Sequence, residues 1–440
     1  HKFGRLFCIK LLAIEKSLPP PHTLTVDNHV TEPETKSPAV YYGWWIVATA
    51  AVGMSAGPGQ FAFGSLGLFM IPLGQEFGWN RTEISLALTF FTLALALSIP
   101  YIGNLVDQFG SRKILLPSLV VFAVLLALIP VLANQLWILF LLFVLIGSLA
   151  AGANALPYLR SISAWFDRRR GLAIGIAMGG SGMGFVYVPP MVQYMIDSYG
   201  WRSGYFMLAA VAFIIAVPLV YFVLREAPSQ AEIEGNDELD QEVAEEKSGS
   251  RIPLLLLLKR PLLWQLFVIF CLLSFSLYGV LAHLVPMLSD RGMSSGNAAL
   301  VMSTLGSSIV VARVIIGFII DRYFAPFVAA ICFLVAVAGV SLLATGAVGS
   351  LAFLAAVLIG FSMGAEIDML AFLTGRYFGV ENFGQVYGIL FTSFLIGTSI
   401  GPVAYGIAFE TTGSYIWMLI VSIVMMLIST VITVLLPRYS

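Results

Sequence analysis

Five ionisable residues stand inside long apolar stretches: Arg160, His283, Arg313, Glu366 and Asp368. Placing such a group in hydrocarbon costs about 2.5–3.5 kcal/mol on insertion scales, so each needs a partner or a task. Arg313 lies eight residues before Asp321, about 12 Å from the helix end at 1.5 Å per residue. That is too deep for easy snorkelling. A planar guanidinium fork there either holds a ligand carboxylate or forms a permanent ion pair. Glu366 and Asp368 precede Phe378 by twelve and ten residues, roughly 18 and 15 Å. Two residues apart on a helix is about 200° of rotation, so both cannot face one cavity. One is expected to meet Arg313 or water, the other a helix–helix seam. Burial opposes a carboxylate's charge while a neighbouring guanidinium supports it. That tension suits a proton switch, although a fixed structural pair uses the same residues. Arg160 sits six residues before Phe166, about 9 Å from a helix end, where it can snorkel or reach a ligand. His283, three residues before Pro286, is placed for a gate hydrogen bond or for proton transfer.

Polar and aromatic residues occupy comparable depths: Gln60, Asn154, Tyr158, Ser181, Tyr187 and Tyr278. Each alone is equally well explained by helix packing. Pro58 between Gly57 and Gly59 is expected to break its helix near the centre, where freed backbone groups line a cavity.

The elements that position these residues follow from apolar segmentation. Of 440 residues, 59% are hydrophobic and 11% charged, against about 25% charged in a water-soluble chain. Twelve stretches reach the roughly 20 residues a membrane helix needs, near 43–72, 82–106, 113–133, 136–162, 171–197, 202–224, 262–288, 296–320, 325–346, 350–374, 383–409 and 414–436. The long polar break at 225–261 carries nine acids between Glu226 and Glu246. It divides the chain into a six-helix half at 41–224 and another at 262–440, joined by a linker. Residues 1–40, with Pro19-Pro20-Pro21, read as a disordered tail. Lys and Arg set topology. One side holds Arg112, Lys113, Arg168, Arg169, Arg170, Arg225, Lys247, Arg251, Lys259, Arg260, Arg322, Arg376 and Arg438, and the other Arg81, Arg202 and Arg291. Both termini and the linker are therefore expected on the cytoplasmic side of a plasma (inner) membrane. All eight tryptophans fall near span ends, as an interfacial belt requires.

The halves match at a nearly constant offset. Pro72 pairs with Pro286, Gly78 with Gly292, Gly103 with Gly317 and Asp107 with Asp321, each 214 apart. Gly175, Gly184, Pro189 and Gly200 pair with Gly388, Gly397, Pro402 and Gly413 at 213. Six spans per half keep the repeats in one orientation, with a solute site expected between them near the midplane. The formal net charge of −1 gives no sign of a nucleic-acid partner. The cysteines Cys8, Cys271 and Cys332 are scattered, and three of four histidines fall in the tail, so neither a disulfide framework nor a metal cluster is expected. No Lys has the glycine context of a phosphate-binding loop, and no nucleophile–base spacing occurs, so ATP hydrolysis, enzymatic chemistry and a cofactor are not expected.

The run Gly103-Asn-Leu-Val-Asp107-Gln-Phe-Gly110-Ser-Arg112-Lys113, with a degenerate copy at Gly317 to Arg322, resembles the loop signature of the major facilitator superfamily. The segment Trp165 to Gly184, with its Arg168-Arg169-Arg170 triplet and spaced small residues, resembles the monocarboxylate-porter signature. Gly364-Ala-Glu366-Ile-Asp368 and Arg376-Tyr-Phe-Gly379 are similar to bacterial relatives of that group. The resemblance implies an all-α membrane protein of twelve transmembrane helices in two pseudo-symmetric six-helix bundles. It implies that the loop at Gly103, Asp107, Gly110 and Arg112 latches a gate. An Asp can also cap a neighbouring helix N-terminus. Two departures stand out: the first span lacks the Lys of animal members, and Ile309 occupies the place of their Asp four residues before Arg313. Gly388, Gly397, Gly401 and Pro402 resemble an antiporter Gly-Pro motif, but in the eleventh span instead of the fifth.

The function so implied is secondary active transport of a small organic anion, most simply a monocarboxylate, in symport with protons. Arg313, Tyr158, Asn154, Tyr278, Gln60 and Arg160 would contact the anion, and Glu366, Asp368 and His283 would couple protons. The competing expectations are proton-coupled export of neutral or lipophilic compounds, and a membrane sensor that binds without transporting.

Overall fold

The computed structural model describes residues 41–166, 170–226, 254–320, 322–379 and 382–439. The expected tail at 1–40, most of the linker, Arg168, Arg169 and Asp321 lie outside the described residues. Among those described there is no strand: the chain is a sequence of helices. A backbone in lipid must satisfy its own hydrogen bonds, and a helix does so within one segment. Eleven helices are long and apolar enough to cross a membrane among the described residues, with a shorter apolar one at Leu136–Leu149. That short helix belongs to a fourth span in two pieces. It gives way to a 3-10 turn at Ala151–Ala153 and resumes at Ala155–Trp165, a break the apolar pattern did not reveal.

The first span is broken as its sequence predicts. Gly43–Ser55 ends at Ala56, and Pro58 opens Pro58–Phe77 at a first-turn position where its missing N–H costs nothing. The second span, Arg81–Phe109, starts with a capping box: Asn80 Oδ1 accepts from Glu83 N at 2.8 Å, and Asn80 N donates to the Glu83 carboxylate at 2.9 Å. The third and fifth spans are Ser111–Leu132 and Arg170–Tyr199, and the sixth is Trp201–Val223. The second repeat runs Pro261–Asp290, Ser295–Ile320, Ala325–Ala344, Ser350–Phe378, Phe383–Thr412 and Ile416–Val434, the seventh to twelfth spans.

The repeat extends to backbone and packing. Gly78 and Gly292 end equivalent helices at φ 72° and 85°, and Gly200 and Gly413 at 83° and 67°. Glycine takes a positive φ without steric cost. Within each half the same partners pack: first with fifth and seventh with eleventh, second with fourth and eighth with tenth, third with sixth and ninth with twelfth. Gly184 lies against Ser55 and Gln60 of the first span, and its counterpart Gly397 against Cys271 and Ser274 of the seventh. Small residues here let backbones approach closely, which drives helix association where lipid is as apolar as the side chains. Between halves, the second span packs on the eleventh, the fifth on the eighth and the first on the seventh. The first two contacts are exchanged by the repeat's own symmetry.

Candidate functional site

A cavity of about 170 Å³ lies between the halves and is lined from eight spans. The broken helices aim at it. Gly59 and Gln60 come from just beyond the first-span break, and Asn154 from the fourth-span break. Phe63, Phe91, Phe185, Tyr278, Phe391 and Phe394 supply aromatic wall. Phe63 meets Tyr278 edge-on across the halves at 5.1 Å between ring centres, and Tyr278 meets Phe394 at 5.3 Å. Several lining polar groups are already engaged by their own helices. Thr92 donates to Leu88 O, Ser181 to Met178 O, Thr398 to Leu395 O, and Asn154 Nδ2 to Ala151 O.

Arg313 lines this cavity and also a larger one of about 910 Å³ between the fifth and eighth spans. The larger cleft begins where those helices part, beyond the close contact of Gly182 with Val310 and of Gly306 with Phe185. It runs past Met183, Gly179, Ile176 and Gly175 to Gly171, and along the eighth span to Ile320. That is the end rich in Lys and Arg. Arg313 Nη1 donates to Asp368 Oδ1 at 3.3 Å, and its Nε is buried without a hydrogen-bond partner among the described residues. Asp368 borders the cleft. Glu366, two residues earlier, is wholly buried, lines neither cavity, and has both carboxyl oxygens without a partner among the described residues. It lies within electrostatic reach of Tyr278.

The opposite end is closed across the halves. Arg81 holds Asp290 through Nη1 at 2.5 Å and Nη2 at 2.7 Å, and donates to Tyr415 OH at 2.5 Å. Its guanidinium lies 3.9 Å from the centre of the Phe409 ring, and its backbone N donates to Glu410 at 3.1 Å. One layer deeper, buried His283 lies 3.1 Å from Ser85 Oγ, 3.1 Å from Tyr415 OH and 2.8 Å from Pro402 O. His283 therefore belongs to this closure and is walled off from both cavities.

Four of the six residues expected at an anion meet around the central cavity: Arg313, Asn154, Tyr278 and Gln60. Two do not. Tyr158 is fully buried and turned into the first half, where its ring and hydroxyl fill the space left by Gly53. Arg160 pairs with Asp107 at 3.1 Å and donates to the carbonyls of Val106 and Asp107, which holds it at the basic end. The signature loop is tied down nearby. Arg112 Nη2 donates to Tyr221 O at 2.5 Å, and Glu226 accepts from Arg112 N at 2.8 Å. The acid capping the third span is thus Glu226, while Asp107 takes Arg160. Gly110 sits at φ 87°, where any side chain would be strained, and a Cβ there would also displace Glu226 Oε1, 2.7 Å away. Gly103 has open space around it. The sequence reading missed the phenylalanines of the wall. Their signal was faint, since Phe63, Phe91, Phe391 and Phe394 look like ordinary apolar positions until the halves are docked.

Two pseudo-symmetric helical halves, closed at one end around a cavity with an internal guanidinium, define a polytopic membrane transporter and not an enzyme. The chain belongs to the Major Facilitator Superfamily, whose profile matches residues 52–378. It is 27% identical to human monocarboxylate transporter 11 over 421 residues, covering 90% of this chain and 83% of that one. It is 24% identical to the uncharacterized MFS-type transporter YhjX of Escherichia coli (strain K12) over 350 residues, 77% of this chain and 83% of the relative. With the uncharacterized MFS-type transporter YcxA of Bacillus subtilis (strain 168) it shares 25% over 399 residues, 87% and 91% of the two chains.

Proposed function

We propose that the protein is a secondary active transporter that moves a monocarboxylate with protons by alternating access, in the plasma (inner) membrane with both termini cytoplasmic. The two repeats, 41–224 and 262–440, act as the rocking bodies, and 225–261 is their cytoplasmic linker. The observation that carries the reading is Arg313: a buried guanidinium at the junction of both cavities, held by one 3.3 Å contact to Asp368 with Nε free. Its remaining donors match an incoming carboxylate. Protonation of Asp368 releases the guanidinium to the anion, and departure of the anion together with the Asp368 proton, both to the cytoplasm, restores the pair. Glu366 serves as the second proton site, because a carboxyl enclosed without donors is tolerated most cheaply when neutral. The bias of Lys and Arg towards the end where the cleft runs out supports a cytoplasm-facing conformation. Relatives named as monocarboxylate transporters support the substrate class.

The test is uptake of labelled organic acids by proteoliposomes under an imposed pH gradient, comparing wild type with Arg313→Gln. Loss of carboxylate uptake is expected. Undiminished uptake of a range of carboxylates by the variant overturns the reading. The apolar cleft favours a second reading, proton-coupled export of lipophilic neutral compounds, in which Arg313 and Asp368 serve only proton exchange. Gradient-driven movement of neutral compounds unaffected by competing carboxylates would establish it.

A further inference from the structure

Resting on the carboxylate reading above, we infer that the transported acid is a monoanion with a large apolar, aromatic-sized body, and not a small hydrophilic acid. Three observations carry this. First, among the described lining residues Arg313 is the one cation in either cavity: Arg81, Arg160 and His283 are committed elsewhere. A dianion would leave its second charge facing Asp368 or bare carbon. Second, donors for a hydroxyl are scarce in the larger cleft, since Gln60, Asn154 and Tyr278 line only the central cavity. Of the cleft's two hydroxyls, Ser55 Oγ donates to Val52 O and Tyr187 OH to Ser55 O. A hydroxylated acid would lose water without recovering its hydrogen bonds, at about fivefold or more in affinity per unmet group.

Third, the space beside Arg313 is large and apolar. The 910 Å³ cleft falls within the range of about 300–1,000 Å³ typical of sites for drug-sized ligands. Apart from Ser55, Tyr187, Arg313 and Asp368, its lining residues are all apolar or glycine. The central cavity, which Arg313 also lines, adds the rings of Phe63, Phe91 and Phe394. Gly175 and Gly179 widen the cleft further, since a Cβ at either would meet nothing within 4 Å. The site therefore pairs one point of charge with extended carbon in both cavities. Burial of a carbon body adds about 0.8 kcal/mol, or about fourfold in affinity, per methylene.

The measurement is calorimetric binding to purified full-length protein of acetate, lactate, succinate, phenylacetate, 4-phenylbutyrate and neutral 2-phenylethanol. Phenylacetate and 4-phenylbutyrate are expected to bind at least tenfold tighter than lactate. Succinate should be weaker than either, and 2-phenylethanol at least tenfold weaker than phenylacetate. A second arm narrows the cleft with Gly179→Leu, which should cut the advantage of 4-phenylbutyrate over acetate at least tenfold. Lactate or succinate binding as tightly as the phenyl acids, and lost in Arg313→Gln, overturns this inference while leaving the carboxylate reading in place. Equal binding of 2-phenylethanol and phenylacetate, both indifferent to Arg313→Gln, overturns the carboxylate reading and this inference with it.

Discussion

Arg313 and Asp368 meet at 3.3 Å from adjacent spans, the eighth and the tenth, so the guanidinium's counter-ion comes from a neighbouring helix. On its own helix, one turn earlier, stands Ile309, whose backbone is pressed against Gly364 of the same tenth span. The pair therefore bridges two elements whose spacing is fixed by small-residue packing. Its single contact leaves most of the guanidinium fork unused.

Arg313→Lys keeps the charge and loses the planar fork. If an anion is held bidentately, the variant should raise the Kd for a bound acid about tenfold or more, since a hydrogen bond to a charged group is worth about 1.5–3 kcal/mol. Asp368→Asn removes the competitor for the guanidinium, so acid binding should persist. Accumulation driven by a pH gradient should disappear. Calorimetry and gradient-driven uptake check the two arms separately, and retained accumulation in Asp368→Asn would remove this carboxylate from the proton cycle.

Glu366 is enclosed with neither oxygen partnered. Replacing an unmet buried polar group by an apolar one of similar size is neutral or favourable, so Glu366→Leu should not lower the unfolding temperature. Glu366→Gln should keep solute exchange between equal pools but lose uphill accumulation. Full accumulation in both variants would leave this residue a packing element.

Tyr158 gives a sharper contrast with the sequence expectation. Its hydroxyl is buried beside Gly53 without a hydrogen-bond partner. Tyr158→Phe should leave transport unchanged and stability within about 1 kcal/mol. An affinity loss of tenfold or more would bring the side chain back to the solute path.

Much of this architecture could be read from the chain because hydrocarbon imposes one rule, that a crossing segment must be an apolar helix. Pro58 flanked by glycines announced the first-span break, and the paired Gly78/Gly292 and Gly200/Gly413 announced equivalent helix ends. The fourth-span break was hidden, because Ala150 to Ala153 carry no proline and remain apolar. Depth along a helix identified Arg313, Glu366 and Asp368, yet depth says nothing about azimuth. Tyr158 and Tyr278 look alike in sequence, and their opposite fates are decided by which helix face meets the other half. Side-chain reach was likewise invisible: Arg160 turned to Asp107, 53 residues away in the chain, a pairing that exists only once the second and fourth spans dock.

Glycines on one helix test the packing argument directly. Gly180 sits against the backbone of Ala51, so a Cβ there cannot be accommodated without moving the first span, whereas Gly175 faces open space five residues earlier. Gly180→Val should destabilise by at least about 1–3 kcal/mol through overpacking. The same change at Gly175 should be neutral or slightly stabilising, because valine is a better helix former than glycine and its Cβ meets nothing there. Thermal unfolding in one detergent compares them, and equal losses would show that the fifth span does not pack on the first as described.

The last prediction concerns the closed end. Arg81 joins the second span to Asp290 of the seventh, to Tyr415 before the twelfth and to the face of Phe409, with buried His283 and Ser85 directly beneath. Removing one partner of a partly buried, hydrogen-bonded charge pair leaves the other exposed to an unmet cost, so the closed arrangement should lose stability relative to one open at this end. Arg81→Ala should then raise the reactivity of a Ser85→Cys probe towards a membrane-impermeant thiol reagent, applied from the side opposite the basic loops, several-fold over the probe alone. Asp290→Asn should act in the same direction and less strongly, since Tyr415 and Phe409 still hold the guanidinium. A probe equally unreactive with and without Arg81 would show that helix packing across the halves by Gly67 on Ala282 and Gly406 on Thr82, and not the charge cluster, keeps this end shut.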